Sequence, residues 1–179
     1  VSTHSLGQFA SIHTRPAIAS SRVQVGHLEG DLIVGAFNRS ALITVFDRTS
    51  RYLWLAPLPK GKTAEGVRDA LTVLLERIPP PLRRTLTWDQ GSEMAYHQYL
   101  AKHSGIGIYI ADAKSPWQRP TNENGNALIR RYVGKSTDLS TYTQHQLHEL
   151  ENRINTIPRR SLNWATAHDI YTAAVAMTT

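Results

Sequence analysis

After residue 25 the apolar positions fall into short runs, then take up a helical period, then alternate between the two. Residues 26–35, 41–47 and 51–56 are rich in Leu, Ile, Val, Tyr, Phe and Trp, which predicts three strands. Only Asp47-Arg-Thr-Ser50 separates the last two runs, and so short a link favours antiparallel neighbours. Val67, Ala70, Leu71, Leu74, Leu75 and Ile78 then repeat at i, i+3, i+4, i+7, i+8, i+11, with Thr63 as N-cap and Pro79-Pro-Pro81 as the stop, so a helix is predicted. Thr85 to Trp88 reads as a buried strand parallel to an earlier one, because a helix separates them. Ser92 is placed to cap a helix reaching about Ser104, with Gly105 just past its end. Ile106 to Ile110 supplies a fifth strand, and a helix over Glu123 to Tyr132 follows the loop 114–121. Thr143 and Gln146 form a capping-box pattern ahead of Leu147, Leu150, Ile154 and Ile157, and Thr166 opens a short final helix. The predicted order β-β-β-α-β-α-β-α-α, closed by that short final helix, is α/β, a five-stranded mixed sheet flanked by helices. Residues 1–21, rich in Ser, Thr, His and Ala, show neither period and read as an extension or linker.

Composition narrows the function classes. A chain of 179 residues with 41% hydrophobic content suits one folded domain with a substantial core. A net charge of +6 favours a polyanionic partner. The absence of cysteine excludes disulfides, thiolate zinc sites and a cysteine nucleophile. No apolar run approaches the ~20 residues that span a bilayer, and residues 1–21 lack the apolar stretch of a signal peptide. A soluble intracellular protein without a membrane partner is therefore expected.

Candidate chemistry centres on Lys114–Tyr132, where a polar, Pro-containing loop turns into a helix. Glu123 lies at the junction, among Lys114, Arg119, Arg130 and Arg131. Two other acids occupy strand-like runs: Asp89 ends Thr85-Leu-Thr-Trp-Asp89, and Asp31 lies within His27-Leu-Glu-Gly-Asp31-Leu-Ile-Val. Phosphodiester chemistry needs an activated oxygen nucleophile and stabilised charge on the attacking and leaving oxygens, which two hard cations held by carboxylates supply. Taken singly, Asp89 could cap a turn, Glu123 could suit a helix dipole, and Asp31 could be a satisfied buried acid. Asp47 reads as a turn residue or a partner of Arg48 or Arg51, and Glu29 as a support or surface group on the Asp31 side. Glu93 and Asp112 read as surface. Trp117, Gln118 and Arg119 could stack on a base or clamp phosphate, Asn124 could contact DNA or orient Glu123, and Arg130 and Arg131 could contact phosphate; an ordinary loop and a solvated helix face are equally open. His145 and His148 have helical spacing, but no third zinc ligand is evident.

The element order is the ribonuclease H-like plan. Five blocks carry a closer resemblance: Gly26-His-Leu-Glu-Gly-Asp31-Leu-Ile-Val-Gly, Asp47-Arg-Thr-Ser-Arg-Tyr, Thr87-Trp-Asp89-Gln-Gly-Ser-Glu, Ser115-Pro-Trp-Gln-Arg and Thr121-Asn-Glu123-Asn. They resemble, in order and across residues 22 to 179, the signature blocks of the insertion-sequence thirty family of bacterial transposases, within the Asp-Asp-Glu integrase and transposase superfamily. Pro120 stands where that family usually has glycine and Leu28 where it usually has tryptophan. The resemblance implies that residues 22–179 are a catalytic domain in which Asp31, Asp89 and Glu123 bind two Mg²⁺ or Mn²⁺ ions. It also implies nicking of DNA at element ends, joining of the freed 3′-hydroxyl to target DNA, and a homo-oligomer on DNA in the bacterial cytoplasm, associated with the nucleoid. The family carries a helix-turn-helix region upstream, so the chain is expected to be a catalytic fragment or a truncated member. Two alternatives stay open: a binding or assembly module impaired by Pro120, and a metal-dependent nuclease that hydrolyses without joining.

Overall fold

A computed structural model describes residues 8–178; the first seven residues of the expected extension lie outside the described residues. The chain runs through α1 (Ile18–Ser21), β1 (His27–Val34), β2 (Ala41–Asp47), β3 (Leu53–Pro57), α2 (Ala64–Glu76), β4 (Thr85–Trp88), α3 (His97–Ser104), β5 (Gly107–Ile110), α4 (Pro120–Val133), α5 (Gln144–Asn155) and α6 (Ala167–Ala176). The sheet order is β3-β2-β1-β4-β5. Both pairings of β2 are antiparallel, and β4 is parallel to β1 and to β5. This is the ribonuclease H-like arrangement expected from the periodicity.

The strand β2 shows why its run is apolar without alternation. Ala41, Ile43 and Val45 face one core, shared with Val67, Leu71, Leu74 and Leu75 of α2. Leu42 and Phe46 face a second, shared with Ile129 and Val133 of α4 and Leu147 and Ile154 of α5. A strand covered on both faces needs an apolar side chain at nearly every position.

Both sheet edges are closed, which removes the template for unwanted strand pairing. On β3, the side chains of α5 take over the missing strand: Asn155 accepts from Leu53 N (2.8 Å) and donates to its carbonyl (3.0 Å), and Glu151 accepts from Leu55 N (2.5 Å). Arg77 of α2 pairs with Glu151 at 2.5 Å. On the other edge, Ile110 N donates to Ala10 O (2.9 Å) and Ser11 bridges Ile110. Thus residues 8–21 dock on the sheet, with Ala19 fully buried and Arg15 donating to Thr87 Oγ1 at 2.7 Å.

Two boundaries differ from the sequence reading. The helix expected from Ser92 is a short turn over Ser92–Met94 and then α3, and Ser92 makes no cap bond. Gly105 does close α3, at φ +71. The helix α4 starts at Pro120, three residues before Glu123, and this first position is where proline's missing N–H costs nothing. The capping boxes Thr143–Gln146 and Thr166–Asp169 both form. Among the described residues, no helix is long and apolar enough to cross a membrane.

Candidate active site

The parallel register of β1 and β4 ends at Glu29 opposite Thr87, and Asp31 and Asp89 lie two residues beyond on their respective strands. Between them, the chain makes room for Trp88: a Cβ on Gly30 would stand 2.1 Å from the Trp88 ring. The indole is fully buried there, so the strands approach closely and the two aspartates emerge side by side.

A guanidinium joins them. Arg119 Nη2 is 3.0 Å from Asp89 Oδ2, and Nη1 is 3.6 Å from Asp31 Oδ1. The Arg119 side chain is 9% exposed, against 33% for Asp31 and 46% for Asp89. Its Nη1 also donates to Gly30 O at 3.3 Å, and its buried Nε has no partner. Asp31 Oδ1 accepts from Leu32 N at 2.9 Å, and Oδ2 accepts from Asn126 Nδ2 at 3.1 Å. Thr44 in turn donates to Asn126 Oδ1 at 3.0 Å, which fixes the direction of the amide. Burial pushes the Asp31 carboxyl above its usual range; Arg119 and the Leu32 N–H pull it down, and Asp89 pushes it further up.

Beneath this pair sits a second acid. Glu29 is fully buried, 3.1 Å from Arg48 Nε, and accepts from Asn122 N at 3.0 Å. It holds the first turn of α4 against β1, so it is a support group rather than a surface one. Glu123 lies on the same first turn but is exposed. It precedes Asn126 by three residues, the spacing of helical neighbours on one flank. Among the described residues no three His, Cys, Asp or Glu side chains converge as a ready metal cage. Asp31 and Asp89 therefore come together around a cation, and Glu123 stands one turn from the residue that orients Asp31.

The integrase core domain family matches residues 23–116, just over half of the chain and inclusive of both aspartates. The chain belongs to that family. It is 46% identical over 154 residues to the transposase for insertion sequence element IS1086 of Cupriavidus metallidurans, covering 86% of this chain and 45% of that protein. It is 42% identical over 167 residues to transposase InsI for insertion sequence element IS30A of Escherichia coli, covering 93% and 43%. The transposase for insertion sequence element IS4351 of Bacteroides fragilis is 34% identical over 158 residues, covering 88% and 48%. The chain thus spans less than half the length of these relatives, and the resemblance to the insertion-sequence thirty family extends over most of it.

Proteins of this superfamily generally use divalent metal ions. The donor set in this integrase core fits such an ion: two carboxylates already share one positive charge, and Mg²⁺ is commonly held by one or two carboxylates with waters and substrate phosphate completing the shell.

The remaining expected contacts divide. Lys114, Asn124 and Arg131 are exposed, and Trp117 is 70% exposed. Gln118 instead turns inward, accepting from Asp112 N and donating to Asp112 Oδ2, both at 2.8 Å. Arg119 is folded onto the aspartates. Arg130 donates to Val34 O (2.5 Å) and Gly134 O (3.1 Å), tying the end of α4 to β1. The turn reading of Asp47 holds and the arginine pairing does not: fully buried, it accepts from the backbone N–H groups of Gly26, Thr49 and Ser50 at 2.6–3.0 Å. One other acid differs from expectation. Glu93 accepts from Trp88 Nε1 at 3.3 Å, underneath the site. Asn126 went unnoticed in the sequence; its only signal was the i+3 spacing from Glu123.

Proposed function

We propose that this integrase core is the catalytic core of an insertion-sequence transposase, nicking DNA at element ends and joining the 3′-hydroxyl to target DNA. The observation that carries the reading is the convergence of Asp31, within β1, and Asp89, just past β4, on one guanidinium. Asp31, Asp89 and Glu123 would hold two Mg²⁺ or Mn²⁺ ions. Such ions, when bound, activate the attacking oxygen and stabilise charge on the leaving one. The chain's own part is preorganisation. Asn126 and the Leu32 N–H fix the Asp31 carboxylate, Glu29 seats the turn that bears Glu123, and Arg119 keeps the two aspartates from repelling each other until a stronger cation and DNA arrive. Lys114, Trp117, Asn124 and Arg131 are the exposed groups available to DNA around this centre. A homo-oligomer holding both element ends, working on nucleoid DNA in the bacterial cytoplasm, completes the proposal.

Pro120 gives no support to an impaired core, since it occupies the first position of an intact α4. The test supplies a labelled element-end duplex with a pre-cut 3′-hydroxyl, Mg²⁺ and target DNA. Joined products are expected. Hydrolysis without joining would assign a nuclease, and binding alone an assembly module.

A further inference from the structure

We propose that the cavity between α4 and the segment after α5 is a phosphate-binding pocket that seats a DNA backbone phosphate on the flank of α4 away from Glu123. This rests on the catalytic reading above and adds a contact it does not contain. The cavity, of about 150 Å³, is lined by Phe46, Arg51, Thr121, Asn124, Gly125, Arg159 and Ser161, ample room for a phosphate group. Its polar lining is donor-rich: two guanidiniums, two hydroxyls and an amide.

The arginines lack an anion. Nε and Nη2 of Arg159 are buried and make no hydrogen bond. Arg51 Nη1 donates to the neutral Thr121 Oγ1 at 2.8 Å, and among the described residues neither arginine has an acid within ion-pair distance. Buried charge is normally paired, because desolvation costs more than a lone charge recovers. Burial, and for Arg51 also the nearby Arg22, Arg159 and Arg48, lowers both guanidinium pKa values. A bound anion would relieve that repulsion.

The pocket's place says which anion. At 100° per residue, Thr121 and Asn124 lie on one flank of α4, and Glu123 and Asn126 on the other. A nucleic-acid strand that reaches Asp31 and Asp89 past the start of α4 carries further backbone phosphates, and Arg51 and Arg159 would hold one of these on the other flank. The charged lining suits an anion, and a contact to backbone phosphate carries no sequence information.

The test measures duplex DNA affinity by fluorescence anisotropy against salt, with chelator present so that no metal chemistry enters, for the full chain and for R51Q, R159Q and the double variant. Each neutralised phosphate contributes about −0.9 to the log–log slope. If both arginines hold one phosphate, each single variant loses up to ~0.9 of slope and the double loses no more than that. An unchanged slope, or a loss of ~1.8 in the double variant, overturns the shared pocket. Melting in metal-free buffer guards against a folding defect: R159Q should melt at or above the parent, and a marked drop would make Arg159 structural and overturn the proposal. Phosphate at matched ionic strength should raise the parent melting temperature but not that of R159Q. If phosphate acts while the DNA slopes stay unchanged, the pocket takes free anion and the DNA assignment fails. Failure here leaves metal-dependent cleavage intact, whereas failure of the catalytic reading leaves these slopes intact.

Discussion

Replacing Arg119 by Gln removes the positive charge that Asp31 and Asp89 share. At 3.0 and 3.6 Å, each contact carries a Coulomb energy of about 5 kcal/mol at an effective dielectric near 20. Desolvation of the guanidinium offsets much of this, and aspartates that are 33% and 46% exposed recover hydration when the pair is lost. The net loss should be about 1–3 kcal/mol, which for a chain of this size lowers the melting temperature by about 2–4 °C per kcal/mol. The same substitution should strengthen metal binding, because a dication no longer has to exchange with Arg119. Each 1.4 kcal/mol of ion-pair energy removed is worth about tenfold in affinity. Stabilisation by Mg²⁺ grows as RT ln(1 + [L]/Kd), so a thermal melt with a Mg²⁺ titration reads both effects without DNA. Arg119→Gln should melt lower than the parent without metal and gain more from Mg²⁺. Equal metal-free melting, or a larger Mg²⁺ gain in the parent, would refute the role of Arg119 as stand-in cation.

Gly30→Ala places a Cβ 2.1 Å from the buried Trp88 ring and should cost at least about 1–3 kcal/mol in urea denaturation; a loss below ~0.5 kcal/mol would mean the ring has room to shift. Pro120→Gly should change stability by less than ~1 kcal/mol, since proline at the first helical position is already compatible with its backbone; a larger loss would show that the ring packs in a way its position does not suggest. His27 is held at about 4, below its usual 6.5, by burial and by Arg84, Arg15 and Arg48; its Nε2 donates to Gln24 at 3.0 Å and Nδ1 accepts from Thr85 at 2.9 Å. The unfolded chain therefore binds the proton more readily between pH 4 and 6.5, so stability should rise with pH across that window by at most about 3 kcal/mol. His27→Gln should flatten that part of a stability-versus-pH curve, and an unaltered curve would place the titration elsewhere.

The sheet was legible because its strands are written in side chains: β-branched and aromatic runs broken by Asp47–Ser50 and by the prolines after α2. Asp31 and Asp89 were legible for the same reason, each lying in or just past such a run. What escaped notice is carried by contacts that leave no period. Residues 8–21 reach the β5 edge largely through backbone hydrogen bonds, which any sequence can make, so they read as linker. Glu151 and Asn155 look like the solvated side of α5, yet they are buried because they cap the free edge of β3. Arg119 read as a DNA contact because composition cannot tell a basic group aimed outward from one folded onto acids distant in sequence. Glu29 and Asp47 share that ambiguity; only the fold shows that each is sealed in and what it holds.

The central claim is that the aspartate pair carries the chemistry, and Asp89→Asn tests it most directly. The amide keeps the shape of the carboxylate but loses the charge that holds a dication. The measurement is nicking of a labelled element-end duplex in Mg²⁺ and in Mn²⁺, with circular dichroism to confirm folding and Glu149→Gln, exposed on α5, as the control. A folded Asp89→Asn protein should still bind DNA and should not cut in either metal, while Glu149→Gln cuts normally. A folded Asp89→Asn protein that cuts as well as the parent would contradict that claim.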